Sequence, residues 1–313
     1  MNKSKFLSFS KLRFVVVFVF VVALTLTSCV EGAKKAETKR QIAVTIPPLQ
    51  GLVERIVGDD FEVVCILPSG STPENYSPTT RQIASLSDSE SVFYLGTIDF
   101  EREIVERAEN EQNKSRFVNV GEGVELISGS CCAHSHSHDH HAHNHPEGEH
   151  HHHGTDPHIW LAPSTLEVIV DNIAREIIRQ NPDSVRYVAN YEKLKGELVA
   201  QKTHFGELLK SAPRSFLIYH PALAYLSKDY GLEQISLENE GKNPTPASLA
   251  DVVDRVKAEG IEVMLYQQEY PLDVVEPIVD ILGVKMVKIN PLSRDIIGEL
   301  NRIAEVLSGS YEQ

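Results

Sequence analysis

The sequence predicts an α/β protein of two lobes, each a mainly parallel sheet flanked by helices, with a long helix between them. Three observations lead there. Short β-branched runs alternate with amphipathic segments from Ile42 onward; the alternation breaks after residue 128; and it resumes beyond Pro213 and continues to the last helix. A βαβα order places neighbouring strands in parallel, with helices covering the faces.

In the first lobe "IAVTI" reads as a strand, and "LQGLVERIVG" has helical apolar spacing that stops at Gly58. "FEVVCIL", "SVFYLG" and "RFVNV" are further strands, separated by helices over Pro78–Ser87 and Asp99–Asn110. Ser164–Gln180 and Pro182–Leu209 follow as two long helices, with Ser164 and Asn181 as N-caps and Pro182 at the first helical position. The second lobe runs "SFLIY", "PALAYLSKDY", "LEQISL", "PASLADVVDRVKAEG", "EVMLYQ", "PLDVVEPIVDIL" and "VKMVKI", then a helix from Ser293. The expected division is an N-terminal lobe over 42–163, carrying a loop at 129–155, a helical segment over 164–212, and a C-terminal lobe over 213–313.

The N-terminus reads as a targeting segment. Lys3, Lys5, Lys11 and Arg13 precede an apolar run from Phe14 to Leu24, shorter than the ~20 residues a spanning helix needs. The run ends in Leu26-Thr27-Ser28-Cys29, which resembles a lipobox and implies cleavage of residues 1–28 and acylation of Cys29. Residues 29–41 then form a short polar tether. Without the first 28 residues, 26 basic side chains face 44 acidic ones, a charge of −18. Such a body repels nucleic acid and anionic lipid and attracts cations.

Twelve of the fourteen histidines fall between Cys131 and Trp160. Imidazole is a frequent metal ligand, yet a dense, aperiodic tract carries no fixed geometry. Cys131 and Cys132 open it as thiol ligands or a redox pair, whereas Cys65 in "FEVVCIL" reads as a core thiol. Better-placed candidates lie at the carboxyl ends of strands, where open α/β sheets bind ligands. His220 follows the strand "FLIY"; Glu74 sits in the turn-rich loop after "FEVVCIL"; and His158 stands in "TDPHIWLAP" just before a helix.

These surroundings carry a resemblance. "PENYSPT" (Pro73–Thr79), "DPHIWLAP" (Asp156–Pro163) and "YHPALAYL" (Tyr219–Leu226) resemble the metal-binding lipoproteins of bacterial zinc and manganese ABC importers, as do "NPTPASL", "LYQQEY" and "INPLSRD". The resemblance runs from Ile42 to the final helix. It implies one metal held in the cleft between two lobes bridged by a rigid helix, with His158 and His220 as ligands. Glu74 stands where the family usually places histidine. For the fourth ligand the family implies an acid of the C-terminal lobe, here Asp295, with Glu269 and water as competitors.

Two imidazoles with one or two carboxylates suit zinc, manganese or ferrous iron, and zinc leads because the resembled zinc members carry a histidine tract. The implied function is capture of a divalent metal outside the cytoplasmic membrane and delivery to an ABC permease and its ATPase, by a lipid-anchored monomer facing the periplasm or exterior. Binding should weaken as pH falls through about 6.5, the ordinary histidine value. A metallohydrolase and a permease-independent adhesin or metallochaperone are the rivals. No HExxH, GxSxG or glycine-rich phosphate loop is present to support an enzyme.

Overall fold

Residues 39–109, 116–128, 154–238 and 244–310 are described by a computed structural model. The targeting segment, Cys29, most of the tether and the tract Cys131–His153 lie outside the described residues.

The first sheet contains β1 (Arg40–Val44), β2 (Phe61–Cys65), β3 (Ser91–Tyr94) and β4 (Phe117–Asn119) in the order β2-β1-β3-β4, all parallel. The second contains β5 (Ser215–Ile218), β6 (Glu233–Ser236), β7 (Val263–Gln267) and β8 (Lys285–Ile289), ordered β6-β5-β7-β8 and again parallel. In both sheets the strand order reverses beside the first strand, which opens a crevice at the carboxyl ends.

The helices α1 (Pro47–Val57), α2 (Thr80–Ser85) and α3 (Asp99–Glu109) connect the first strands. Next come α4 (Pro163–Gln180) and α5 (Val185–Leu208), then α6 (Ala224–Tyr230), α7 (Pro246–Glu259), α8 (Leu272–Leu282) and α9 (Ile296–Leu307). At about 1.5 Å per residue, the 24 residues of α5 span roughly 36 Å. It packs along α4, from Tyr191 to Lys202, and also on α1 and on α9, where Gln201 donates to the Ile297 carbonyl at 2.8 Å, so it bridges the lobes.

Two predicted caps move. Ala162 rather than Ser164 precedes α4, with Pro163 at its first position. Asn181 closes α4, its amide donating to the Ile177 carbonyl at 2.8 Å, and Ser184 caps α5 by accepting the Tyr187 N–H. Both are short polar side chains, and the chain's turn at Pro182 and Asp183 decided which end each served.

Strand β5 shows how the core divides. Phe216 and Ile218 enter a core that runs through the first lobe and the long helices, while Leu217, with Tyr219 just beyond the strand, enters a second core on the far face of sheet two. Alternation along a strand sends successive side chains to opposite faces, and both faces are covered here. Both sheets belong to one compact unit beginning at Arg40. The lobes also meet closely: a Cβ on Gly51 in α1 would lie 1.8 Å from the Arg294 carbonyl oxygen, so only glycine fits. Arg294 Nε donates to Glu54 at 2.6 Å beside it, and Trp160 Nε1 donates to the Pro291 carbonyl at 2.8 Å.

Candidate metal centre

Glu74, His158 and His220 converge, although they lie on three distant segments. Glu74 occupies a single turn, Pro73–Asn75, after β2. The loop is pinned by Tyr76, whose hydroxyl donates to the Ile66 carbonyl at 3.3 Å and accepts from Gln82 Nε2 at 2.5 Å, and by a full capping box at Thr79 and Gln82 that starts α2. His158 lies in the turn before α4, with Ile159, Trp160 and Leu161 buried behind it. His220 follows β5, and its main chain is gripped by the Gln267 amide, which donates to the His220 carbonyl at 2.6 Å and accepts the His220 N–H at 3.3 Å.

His158 Nε2 is 3.2 Å from Glu74 Oε1 and 3.3 Å from His220 Nε2, and His220 Nε2 is 3.7 Å from Glu74 Oε1. These three are the group of potential ligands that converges among the described residues. Each imidazole has its other nitrogen on a buried carboxylate: His158 Nδ1 on Asp156 Oδ1 at 2.9 Å, and His220 Nδ1 on Glu238 Oε2 at 2.9 Å. An ionised carboxylate only accepts, so both Nδ1 atoms donate and both Nε2 atoms are directed at the shared point. Trp160 lies 5.3 Å from the His158 ring, and Tyr270 stacks on His220 at 5.7 Å, which narrows the freedom of both rings.

The electrostatics follow from burial and pairing. Burial opposes charge on His158, yet its bonds to Asp156 and Glu74, with their charges, outweigh it and push the imidazole up to about 9. For Glu74 and Asp156 burial acts upward, but the bond to His158 and the charges of both histidines hold these carboxyls below their usual range. His158 thus holds its proton above the ordinary histidine value, because two acids share it.

Asp295 does not join the cluster. It is exposed and caps α9, its side chain accepting the Gly298 N–H at 3.1 Å. The helix N-terminus recruits its carboxylate, because the unpaired N–H groups of a first helical turn favour an acid there. Glu269, in the loop after β7, instead lines the central cavity with Glu74, His158 and His220. Burial leads in raising its carboxyl above the ordinary value, and the Glu74 charge adds to this. The free space there is about 20 Å³, room for one water-sized particle.

Sequence reasoning did not assign Asp156, Glu238, Gln267 or Tyr270. Asp156 had a visible signal, an acid two residues before a ligand-type histidine. Glu238 had none, standing eighteen residues beyond His220 after a different strand. The half-buried Cys65 thiol donates to the Leu67 carbonyl at 3.4 Å, and burial pushes it up to about 12, in keeping with an inert core position.

Two parallel α/β lobes with inward-facing metal-ligand side chains from both define a bilobal solute-binding protein. The chain belongs to the family described as zinc-uptake complex component A, periplasmic (ZnuA), which matches residues 42–301. It is 30% identical over 284 residues to the high-affinity zinc uptake system protein ZnuA of Bacillus subtilis, covering 88% of this chain and 85% of that protein. Against the zinc-binding protein AdcA of Streptococcus pyogenes it is 28% identical over 82% of its length, and spans about half (51%) of that longer protein. A crystal structure of ZnuA superposes with a TM-score of 0.73 at 26% identity, over 86% of this chain and 98% of the other. The family is a component of a transport complex, which sets aside the metallohydrolase reading.

Proposed function

We propose that the protein captures zinc outside the cytoplasmic membrane and passes it to an ABC permease and its ATPase, with His158, His220 and Glu74 as ligands and Glu269 as the fourth. One observation carries the ligand set. Three donor atoms 3.2, 3.3 and 3.7 Å apart match the edges of a tetrahedron around an ion bonded at about 2.0–2.1 Å, which are roughly 3.3 Å long. The zinc-binding names of the relatives support the choice of metal.

Glu74 favours a second reading for the cargo. A carboxylate in place of imidazole makes the donor set harder, and with Glu269 it becomes two nitrogens and two carboxylates, a set that also suits manganese and ferrous iron. Cys29 carries the lipid anchor, the protein works as a monomer, and the tract Cys131–His153 is an accessory collector that raises metal concentration near the site.

Competition titration with a chromophoric zinc chelator tests this. One tight site per chain, lost in both His158→Ala and His220→Ala, is the expected result. Retention of that site in either variant overturns the assignment.

A further inference from the structure

The turn that presents His158 is held from both lobes. Tyr225, on α6 of the C-terminal lobe, donates its hydroxyl to the Asp156 carbonyl at 2.8 Å and accepts the Ile127 N–H at 3.3 Å. Thr97, in the N-terminal lobe between β3 and α3, donates to the Pro157 carbonyl at 2.8 Å. Between these grips the Asp156 carboxylate accepts both the His158 N–H at 2.8 Å and Nδ1 at 2.9 Å. Two successive carbonyls are therefore fixed, one from each lobe, immediately before the ligand.

Thr97 is itself anchored. The Glu101 carboxylate is 1% exposed and accepts the N–H groups of Leu95 at 3.0 Å, Gly96 at 2.8 Å and Ile98 at 3.4 Å, together with the Thr45 hydroxyl at 2.5 Å. Three N–H groups and a hydroxyl thus hold the Glu101 side chain, and through it the loop that carries Thr97. Tyr225 has a comparable tie, because it follows His220 by five residues on the same connection. One hydroxyl thus links the segment bearing His220 to the segment bearing His158.

We propose that Tyr225 and Thr97 are positioning residues for the metal site: from opposite lobes they hold the carbonyls of Asp156 and Pro157, and so set the spacing of the His158 and His220 imidazoles. The inference rests on these histidines being the ligands. Fixing two donors at coordination distance matters because each freed rotation must be lost again when the metal binds.

The test uses Tyr225→Phe and Thr97→Val, which remove one hydroxyl each with little change of volume, plus Thr97→Ser and His158→Ala. Zinc affinity should weaken about tenfold in Tyr225→Phe and in Thr97→Val, the low end for groups outside the ligand set, and return in Thr97→Ser. The visible band of the cobalt(II)-loaded protein should shift in the two weakened variants. Unchanged affinity and spectrum in both, while His158→Ala loses zinc, overturns this inference alone. Melting temperatures lowered equally with and without metal, at an unshifted cobalt band, also overturn it. Full zinc affinity in His158→Ala overturns the site itself.

Discussion

His158 Nε2 and Glu74 Oε1 stand 3.2 Å apart, 84 positions separated in sequence, so that a proton on this imidazole nitrogen and a metal ion would occupy the same point. Proton and metal therefore compete for one point. The competition sets the first prediction.

Metal-free, His158 is charged in the fold up to about pH 9, but in the unfolded chain only below about 6.5. Its charged pairing therefore stabilises the metal-free protein fully below about 6.5, and that contribution is lost as pH rises through about 9. The depressed carboxyls of Glu74 and Asp156 act at the other end: their contribution is present above about pH 4 and lost as pH falls further. Melting curves of the metal-free protein should show stability declining from pH 6.5 to 9. Zinc affinity should rise over the same interval, and each zinc bound should release close to one proton near neutrality, measurable by calorimetry in buffers of different ionisation enthalpy.

The two acids of the C-terminal lobe separate cleanly. Asp295→Ala should cost about 1 kcal/mol of stability through the lost α9 cap and leave zinc affinity unchanged. Glu269→Ala should weaken zinc binding by about tenfold or more and leave stability near wild type. Paired denaturant and zinc titrations of both variants check this, and the reverse pattern would restore Asp295 as the ligand.

Glu74→His should sharpen the preference for zinc over manganese, because imidazole replaces the harder carboxylate. The expected sign is a larger zinc-to-manganese affinity ratio, read by competition between the two ions. It should also lower the pH at which metal binding begins, since one of the two acids that hold the His158 proton is gone.

Deletion of residues 133–153 should leave the tightest one-to-one zinc site intact and remove only weaker, additional binding. Ser128 and Thr155, joined by an antiparallel bridge, and the Asp156 N–H bond to the Ile127 carbonyl at 2.9 Å already close the chain at the base of that excursion. Zinc stoichiometry by titration, compared with the full chain, reads the difference.

The sequence by itself determined the order of strands and helices, because apolar period and turn residues act within a few positions. It also marked His158 and His220, each at a loop where an α/β sheet ends, and Glu74 on its own loop after β2. What only the tertiary structure decided were distances across the chain. The docking of one lobe on the other sets 3.3 Å between the Nε2 atoms of residues 62 positions apart, the pairing of β5 with β6 brings Glu238 to His220, and Glu269 beyond β7 lines the same cavity. Asp295 shows the limit of a resemblance read along the chain: an acid of the C-terminal lobe was implied as a ligand, but the free N–H groups of α9 lie nearer and take its carboxylate. Propensity is local and short in range, whereas coordination depends on where remote segments come to rest, and that is fixed by the packing of the whole core.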